Sequence, residues 1–213
     1  MSAAAELSKG LAGLGLTLPW EVQTRLLQYV ALLSKWNRTY NLTAIREPSR
    51  MVSHHLLDSL AVLPHLEGTK TIADVGSGGG LPGVPLAIVR SDWSVALVES
   101  NHKKSSFLRQ AVVELNLRST RVVTDRVEQW RPVERFDVVI SRAFSELSGF
   151  IEAARHLCRP GGVLAAMKGV YPVEELAQLG THVKLREIVA LHVPGVRAAR
   201  HLVLVEPLST AEA

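Results

Sequence analysis

The residues best equipped for chemistry begin at Asp74-Val75-Gly76-Ser77-Gly78-Gly79-Gly80-Leu81-Pro82-Gly83. An acid and five glycines crowd into ten positions directly after the apolar run Ile72-Ala73. Glycines let the backbone take positive φ and let a ligand approach with no Cβ in the way. An apolar strand, a glycine turn and a helix opened by Pro82 form the unit by which a doubly wound sheet holds a nucleoside at the carboxyl end of a strand.

The glycine spacing alone leaves the nucleoside open. Gly78, Gly80 and Gly83 satisfy G-x-G-x-x-G, the dinucleotide pattern. Gly76, Gly78 and Gly80 satisfy G-x-G-x-G, common among S-adenosylmethionine binders. A tight turn with no ligand is the third reading. Two neighbours favour S-adenosylmethionine. A pyrophosphate needs free N–H groups at the helix N-terminus, and Pro82 and Pro85 each remove one. Asp74 would set a carboxylate near the phosphates, whereas S-adenosylmethionine carries an ammonium, a sulfonium and no phosphate. The next strand, Ser94–Val98, ends at Glu99, 25 positions after Asp74. A carboxylate roughly twenty residues on takes ribose hydroxyls in such folds; the alternative is a solvated strand-end acid.

The remaining strands and helices must place these groups. Residues 1–66 read as a helical extension, with Val22, Leu26, Tyr29, Val30, Leu33 and Trp36 on one face. The polar and aromatic run Trp36–Thr43 breaks that pattern, and Ser49 is the expected cap of a further helix ending at Pro64. His54, His55 and Asp58 ride on it. Their spacing could bring two metal ligands together, but no third is visible, so a hydrogen-bonded packing role is expected. Residues 67–213 read as one compact α/β unit. Strands are expected at 120–124, 136–140, 163–167, 187–191 and 201–206, with helices at 82–90, after Glu99, at 147–158 and after Pro172. Arg159-Pro160-Gly161-Gly162 reads as a turn. This alternation implies a mostly parallel sheet covered on both faces. The last two strands have no helix between them, which places one antiparallel strand in the sheet. The loops after the strands then hold Asp74–Gly80, Glu99–Lys104, Asp125–Glu128, Ser141–Phe144 and Lys168-Gly169. The acids suit a cationic nucleoside, and Lys103, Arg142 and Lys168 an anionic substrate.

Composition narrows the class. No apolar run approaches the twenty residues of a membrane span, and the N-terminus lacks the basic flank and apolar core of an export signal. The single cysteine, Cys158, excludes an internal disulfide. A cytoplasmic protein is expected. Lys and Arg number 24 against 20 acids, a surplus that permits a polyanionic partner. Aromatic residues are 5%, too few for stacking on many bases to dominate.

Several short motifs occur together: Trp36-Asn37, Tyr40-Asn41-Leu42-Thr43, His55 with Leu57-Asp58-Ser59, the glycine segment 74–83, Arg126-Val127-Glu128, Ile140–Phe144, Lys168-Gly169 and Arg200-His201-Leu202. On these, from about Trp36 to Glu206, the sequence resembles the bacterial ribosomal RNA small subunit methyltransferase G family, also called glucose-inhibited division protein B. The resemblance implies a class I S-adenosylmethionine-dependent methyltransferase fold, a Rossmann-like doubly wound sheet with a helical N-terminal extension. It implies methylation of N7 of one guanine in the decoding-region loop of 16S ribosomal RNA, on RNA or on a small-subunit particle, with S-adenosylhomocysteine as product. It implies cofactor contacts from Gly76, Leu81, Val127, Glu128 and Arg142, beside Asp74, Gly78, Gly80 and Glu99 from the residue reading. Arg142 and Lys168 are the expected catalytic residues on the RNA side. Lys103, Lys104, Arg142, Lys168, Arg197 and Arg200 are the expected phosphate contacts.

Guanine N7 presents an in-plane lone pair and no proton, so direct attack on the methyl group needs neither a general base nor a covalent enzyme intermediate. Cys158, expected late in a helix, reads as a buried apolar residue, and the Asn-Pro-Pro-aromatic tetrad used on exocyclic amines is absent. A monomer without metal is expected. The competing readings are a small-molecule methyltransferase on the same fold and a nucleoside- or RNA-binding module without turnover.

Overall fold

The computed structural model describes residues 2–142 and 144–208; Ala143, inside the Ser141–Phe144 motif, lies outside them. At the centre is a seven-stranded sheet of order β3-β2-β1-β4-β5-β7-β6. Its strands are β1 Thr71–Val75, β2 Ser94–Val98, β3 Thr120–Val123, β4 Phe136–Ser141, β5 Cys158–Lys168, β6 Val183–Ala190 and β7 His201–Pro207. Strands β1 to β5 pair in parallel. Strand β7 runs antiparallel to both β5 and β6, the one reversed strand expected where no helix intervenes. Strand β1 has β2 on one side and β4 on the other, so the strand order reverses there. Crevices at such switch points are where open α/β sheets hold ligands.

Alternation along the strands sends side chains into two cores. Ile72, Val95, Leu97, Val138 and Ile140 face one side, Ala73, Val75, Ala96, Val98 and Val139 the other. Both faces are covered, which is why these strands read as continuous apolar runs. The first face is covered by α1 (Ala3–Gly13), α2 (Trp20–Tyr40), α5 (Gly83–Val89) and α6 (His102–Glu114), with Leu7, Leu26, Tyr29 and Leu33 in one core with the strands. The second is covered by α7 (Leu147–Ala154), through Leu147, Phe150 and Ile151.

Four local expectations are revised. Helix α2 runs through Trp36–Tyr40 and stops only at Asn41, whose φ of 50° reverses the chain. The next helix begins at Pro48 with Glu47 before it, and Ser49 is not its cap. It consists of α3 (Pro48–Met51), a π-helical turn Val52–Leu57 and α4 (Asp58–Leu60); π turns insert a residue and re-aim side chains, often at functional sites. Strand β6 begins at Val183, four residues before the expected start. Strand β5 begins at Cys158, so Arg159–Gly162 lie inside a strand. The pairing register jumps from Phe136–Cys158 to Val138–Val163, and the extra residues are absorbed by a bulge at Gly161, φ 72°. Cys158 is therefore a buried strand residue, not a helical one.

Candidate active site

The turn after β1 is tied down on every side. Gly76 and Ser77 both donate their N–H to the carbonyl of Val98, at 3.0 and 3.1 Å. Gly76, Gly78 and Gly80 all take positive φ. A Cβ at Gly83 would lie 2.4 Å from Leu97 Cδ2 and 2.7 Å from Asp74 Oδ2, so only glycine lets the helix start this close to β1. Asp74 is fully buried beneath the turn. Its Oδ2 accepts from Ser77 Oγ and from Gly83 N–H. Burial pushes its carboxyl up to about 6, with those two hydrogen bonds and the charge of Arg142 pulling back. Glu99 holds the other flank: Oε2 accepts from Gly78 N–H at 2.9 Å and Oε1 from Asn101 N–H at 2.8 Å. From the extension, Tyr29 donates its hydroxyl to the carbonyl of Gly79 at 2.6 Å. Burial raises this phenol above its ordinary range.

The start of α5 offers nothing to a pyrophosphate. Gly83 N–H goes to Asp74 and Val84 N–H to the Gly80 carbonyl at 2.7 Å, and Pro85 has none.

Beside the turn, the extension meets the loops after β4 and β5. Asn37, buried, accepts from Thr43 N–H and donates to the Ile45 carbonyl, pinning 42–45 over the glycines. Leu42 O lies 3.7 Å from where a Gly79 Cβ would stand. His55 Nδ1 pairs with the carbonyl of His54 at 2.9 Å and Nε2 with Thr43 Oγ1 at 2.7 Å. A carbonyl only accepts, so Nδ1 carries the proton and Nε2 accepts from the threonine. Burial, then the charge of Arg142, lowers the imidazole to about 4 and keeps it neutral. Asp58 is taken up by two guanidiniums. Its Oδ2 accepts from Arg142 at 3.0 Å and its Oδ1 from Arg200 at 2.9 Å, and Arg142 also donates to the carbonyl of His54. One carboxylate on the extension thus holds a guanidinium from the end of β4 and one from the start of β7. All three line a cavity of about 400 Å³.

The expected site residues divide accordingly. Asp74, Gly76, Gly78, Gly80, Leu81 and Glu99 form or flank the turn, and Arg142 stands at the neighbouring cavity. Val127 is buried among the second core's side chains. The exposed Glu128 side chain lines a different cavity, with Arg131, His156 and Cys158, and its carbonyl accepts from Arg131. Lys168 lines the same cavity as Arg142, but as a paired cation and not a free one. Its side chain is 9% exposed, and its Nζ donates to the Ser145 carbonyl and to Glu175, both at 2.6 Å. It clasps α8 (Val173–Ala177) to the loop after β4. Arg200 lines the cavity with its Nε held by Asp58 and its Nη1 by the Ala199 carbonyl. Lys103 and Arg197 are exposed and Lys104 half-buried. Sequence reasoning missed Asp58 as a charge centre, Tyr29 as a pin and Glu175 as a partner. Asp58 did carry a signal: an acid between Leu57 and Leu60 on an apolar helix face needs a buried partner.

A family profile described as rRNA small subunit methyltransferase G, GidB, matches residues 22–203. The chain belongs to this family. A relative from Laribacter hongkongensis named ribosomal RNA small subunit methyltransferase G is 56% identical over 203 residues, 95% of this chain and 98% of the relative. One of the same name from Chromobacterium violaceum is 58% identical over 200 residues, 93% and 95% of the two chains. Among solved structures, the O-methyltransferase TomG of Streptomyces achromogenes in complex with SAM superposes with TM-score 0.59 at 16% identity, over 85% of this chain and 90% of that one. A SAM-dependent methyltransferase from Aquifex aeolicus gives 0.57 at 20%, over 82% and 98%. At these identities the likeness shows the fold, a class I methyltransferase sheet.

The residues present fit S-adenosylmethionine, the methyl donor of such enzymes. Asp74 Oδ1 is buried with no partner, and a buried carboxylate oxygen calls for a donor or a cation. Each Glu99 oxygen takes one N–H and keeps capacity for another donor. A side chain at Gly78 would enter open space, its Cβ no nearer than 3.8 Å to Gly76 O, which leaves room for a ligand against the turn.

Proposed function

We propose that the protein transfers a methyl group from S-adenosylmethionine to N7 of one guanine in the decoding-region loop of 16S ribosomal RNA. What supports this most is the coupling of two unlike surfaces at one sheet edge in a member of this family. A phosphate-refusing turn flanked by Asp74 and Glu99 stands beside a cavity that carries Arg142 and Arg200.

When bound, S-adenosylmethionine supplies an electrophilic methyl group and departs as S-adenosylhomocysteine. The chain's part is to hold and orient. Gly76, Gly78, Gly80 and Leu81 shape the seat, Glu99 takes the ribose hydroxyls, Asp74 faces the cation's charge, and the main chain at Val127 and Glu128, whose side chains point elsewhere, borders the base. No side chain has to remove a proton from N7, so alignment carries the rate, and positioning of this kind supplies roughly 7–11 kcal/mol. No nucleophile is needed, and the buried thiol of Cys158, pushed up to about 12, offers none. Arg142 stands at the acceptor side as the catalytic contact. Lys168 acts through the loop it clasps. Residues 1–66 act as the site's outer wall, and residues 67–213 as the cofactor-binding unit. Exposed Lys103, Lys104 and Arg197 meet RNA phosphates. The enzyme works in the cytoplasm as a monomer and without metal.

The test is transfer of labelled methyl to RNA from a strain lacking the modification, offered both as naked 16S RNA and as small-subunit particles, with the product mapped by mass spectrometry. Label at N7 of a single guanine, retained in the presence of a chelator, is the expected result. Label on a small molecule only, or cofactor binding with no transfer to either RNA form, would overturn the reading.

A further inference from the structure

At the end of the sheet away from the glycine turn lies a cavity of about 310 Å³. Helix α2 lines it through Arg25, the end of α5 and the turn into β2 through Ala87, Ser91 and Trp93, and the turn from α6 into β3 through residues 116–120. Local structure brings these groups together. Trp93 N–H returns to the Arg90 carbonyl at 3.0 Å, which closes the turn after α5. Helix α6 ends at Glu114, Asn116 takes φ 49°, and the buried Leu117 anchors the reversal that presents Arg118, Ser119 and Thr120.

The polar groups on this wall are of one kind. Arg25 and Arg118 bring guanidiniums, Ser91, Ser119 and Thr120 bring hydroxyls, and no carboxylate is among the lining residues. Arg25 spends Nη2 on the Leu115 carbonyl at 2.8 Å, and Arg118 spends Nε on the Asn116 side chain at 3.3 Å. Each guanidinium keeps other N–H donors free. Among the described residues the three hydroxyls have no protein partner. Trp93 is 1% exposed, and its Nε1 is buried with no partner. An indole N–H can only donate, and a buried donor left unmet is rare. Two guanidiniums, an unmet indole N–H and three hydroxyls, with no acid between them, make a set of donors that an oxyanion completes. The volume stands at the lower limit of ligand pockets, about 300 Å³.

We propose that this cavity is a phosphate-binding site, separate from the cofactor turn. Strand β2 runs for five residues from this end to the Glu99 end, about 16 Å at roughly 3.3 Å per residue. A phosphate held here is therefore out of reach of a methyl group at the turn and serves as an anchor. Two sources carry the same chemistry: a backbone phosphate of the RNA, which rests on the function proposed above, and a free phosphate ion or ester, which does not.

The probe is inorganic phosphate, titrated into the full chain at constant ionic strength while the Trp93 indole N–H resonance is followed, assigned through Trp93→Phe. Phosphate should shift that resonance saturably at millimolar concentration and leave the exposed Trp20 unmoved, and chloride should not reproduce the shift. Arg118→Gln removes a guanidinium, and Ser119→Asp adds a carboxylate to the wall. Both positions are exposed, so the melting temperature should hold while phosphate affinity falls by about tenfold or more. Methyl transfer to RNA then separates the sources. A KM for RNA that rises severalfold in both variants, with kcat unchanged, assigns the site to the RNA backbone; a wild-type KM with phosphate affinity lost assigns it to free phosphate. An unmoved Trp93 resonance, a shift that chloride reproduces, or wild-type phosphate affinity in both variants would each overturn the proposal. A wild-type enzyme that methylates no RNA would strike the function proposed above and leave the phosphate titration to decide this site.

Discussion

Two buried groups beside the site titrate in opposite senses, and a single substitution should unmask one of them. Asp74 sits at about 6 in the folded chain against an ordinary 3.8. Between those values the folded state binds more protons than the unfolded one, so this group's contribution falls as pH rises through the window. About two pH units at about 1.4 kcal/mol each puts the effect on the order of 3 kcal/mol. His55 sits at about 4 against 6.5. Here the unfolded state binds more protons, so stability is present above 6.5 and is lost as pH falls toward 4, again by about 3 kcal/mol. Over roughly pH 4–6.5 the two slopes nearly cancel. Asp74→Asn removes one of them. The amide oxygen still accepts from Ser77 and Gly83, and relief of the buried charge is set against an unpaired N–H of about 1–3 kcal/mol, so stability at pH 7 should change little. The slope should change plainly. The variant should lose about 3 kcal/mol between pH 6.5 and 4, while the parent stays nearly level. Urea unfolding at half-unit pH steps reads this as a midpoint that falls by about 1 M or more in the variant. Parallel pH profiles for the two proteins would refute the opposed titrations.

Three further outcomes follow from the contacts. Tyr29→Phe strands the buried carbonyl of Gly79 and should cost about 1–2 kcal/mol in urea unfolding, with cofactor affinity weakened because the turn loses its pin. Arg142→Ala leaves Asp58 its bond from Arg200, so the fold should survive with a loss of about 1–3 kcal/mol, while methyl transfer to RNA falls by at least tenfold; unchanged turnover would remove Arg142 from the site. Lys168→Gln breaks the clasp to Glu175 and should lower stability by about 1–3 kcal/mol without altering the salt dependence of RNA binding. Arg197→Gln should do the reverse, reducing the slope of log affinity against log salt by about 0.7–0.9.

The sheet and the glycine turn were legible because each rests on a local signal. Short apolar stretches closed by an acid or a serine marked β1, β2 and β4, and glycines beside Asp74 marked the turn. The run Arg159–Gly162 misled because glycine and proline mark a break in hydrogen bonding without saying whether the chain turns or bulges. Helix α2 outlasted its expected end because Trp36, Tyr40 and Phe107 pack together, and packing overrides a polar patch. The partners of Lys168, Arg142 and Arg200 lay beyond reach for another reason. Glu175 meets Lys168 through the conformation of the short loop between them, whereas Asp58 is 84 positions from Arg142 and 142 from Arg200, and only the sheet order brings those together.

Those pairings change what the positive charge is for. Read along the chain, Arg142, Lys168 and Arg200 look like three solvated cations at strand ends, ready for phosphate. In the fold each has an oxygen partner on another element, Asp58 for the two arginines and Glu175 for the lysine. An ammonium at 9% exposure cannot release counterions to bulk water on RNA binding, so it adds little to salt-dependent affinity. The arginines differ, because a guanidinium bonded through one or two nitrogens keeps others free. Asp58 fixes their orientation before any substrate arrives, which lowers the entropy lost on binding. On the proposed function, long-range attraction to RNA falls to the exposed Lys103 and Arg197 and the half-exposed Lys104. The internal cations set the shape and polarity of the cavity they line. The helical extension is the source of Asp58, Tyr29 and the 42–45 segment, so it is what turns a generic cofactor sheet into a site with a defined second pocket.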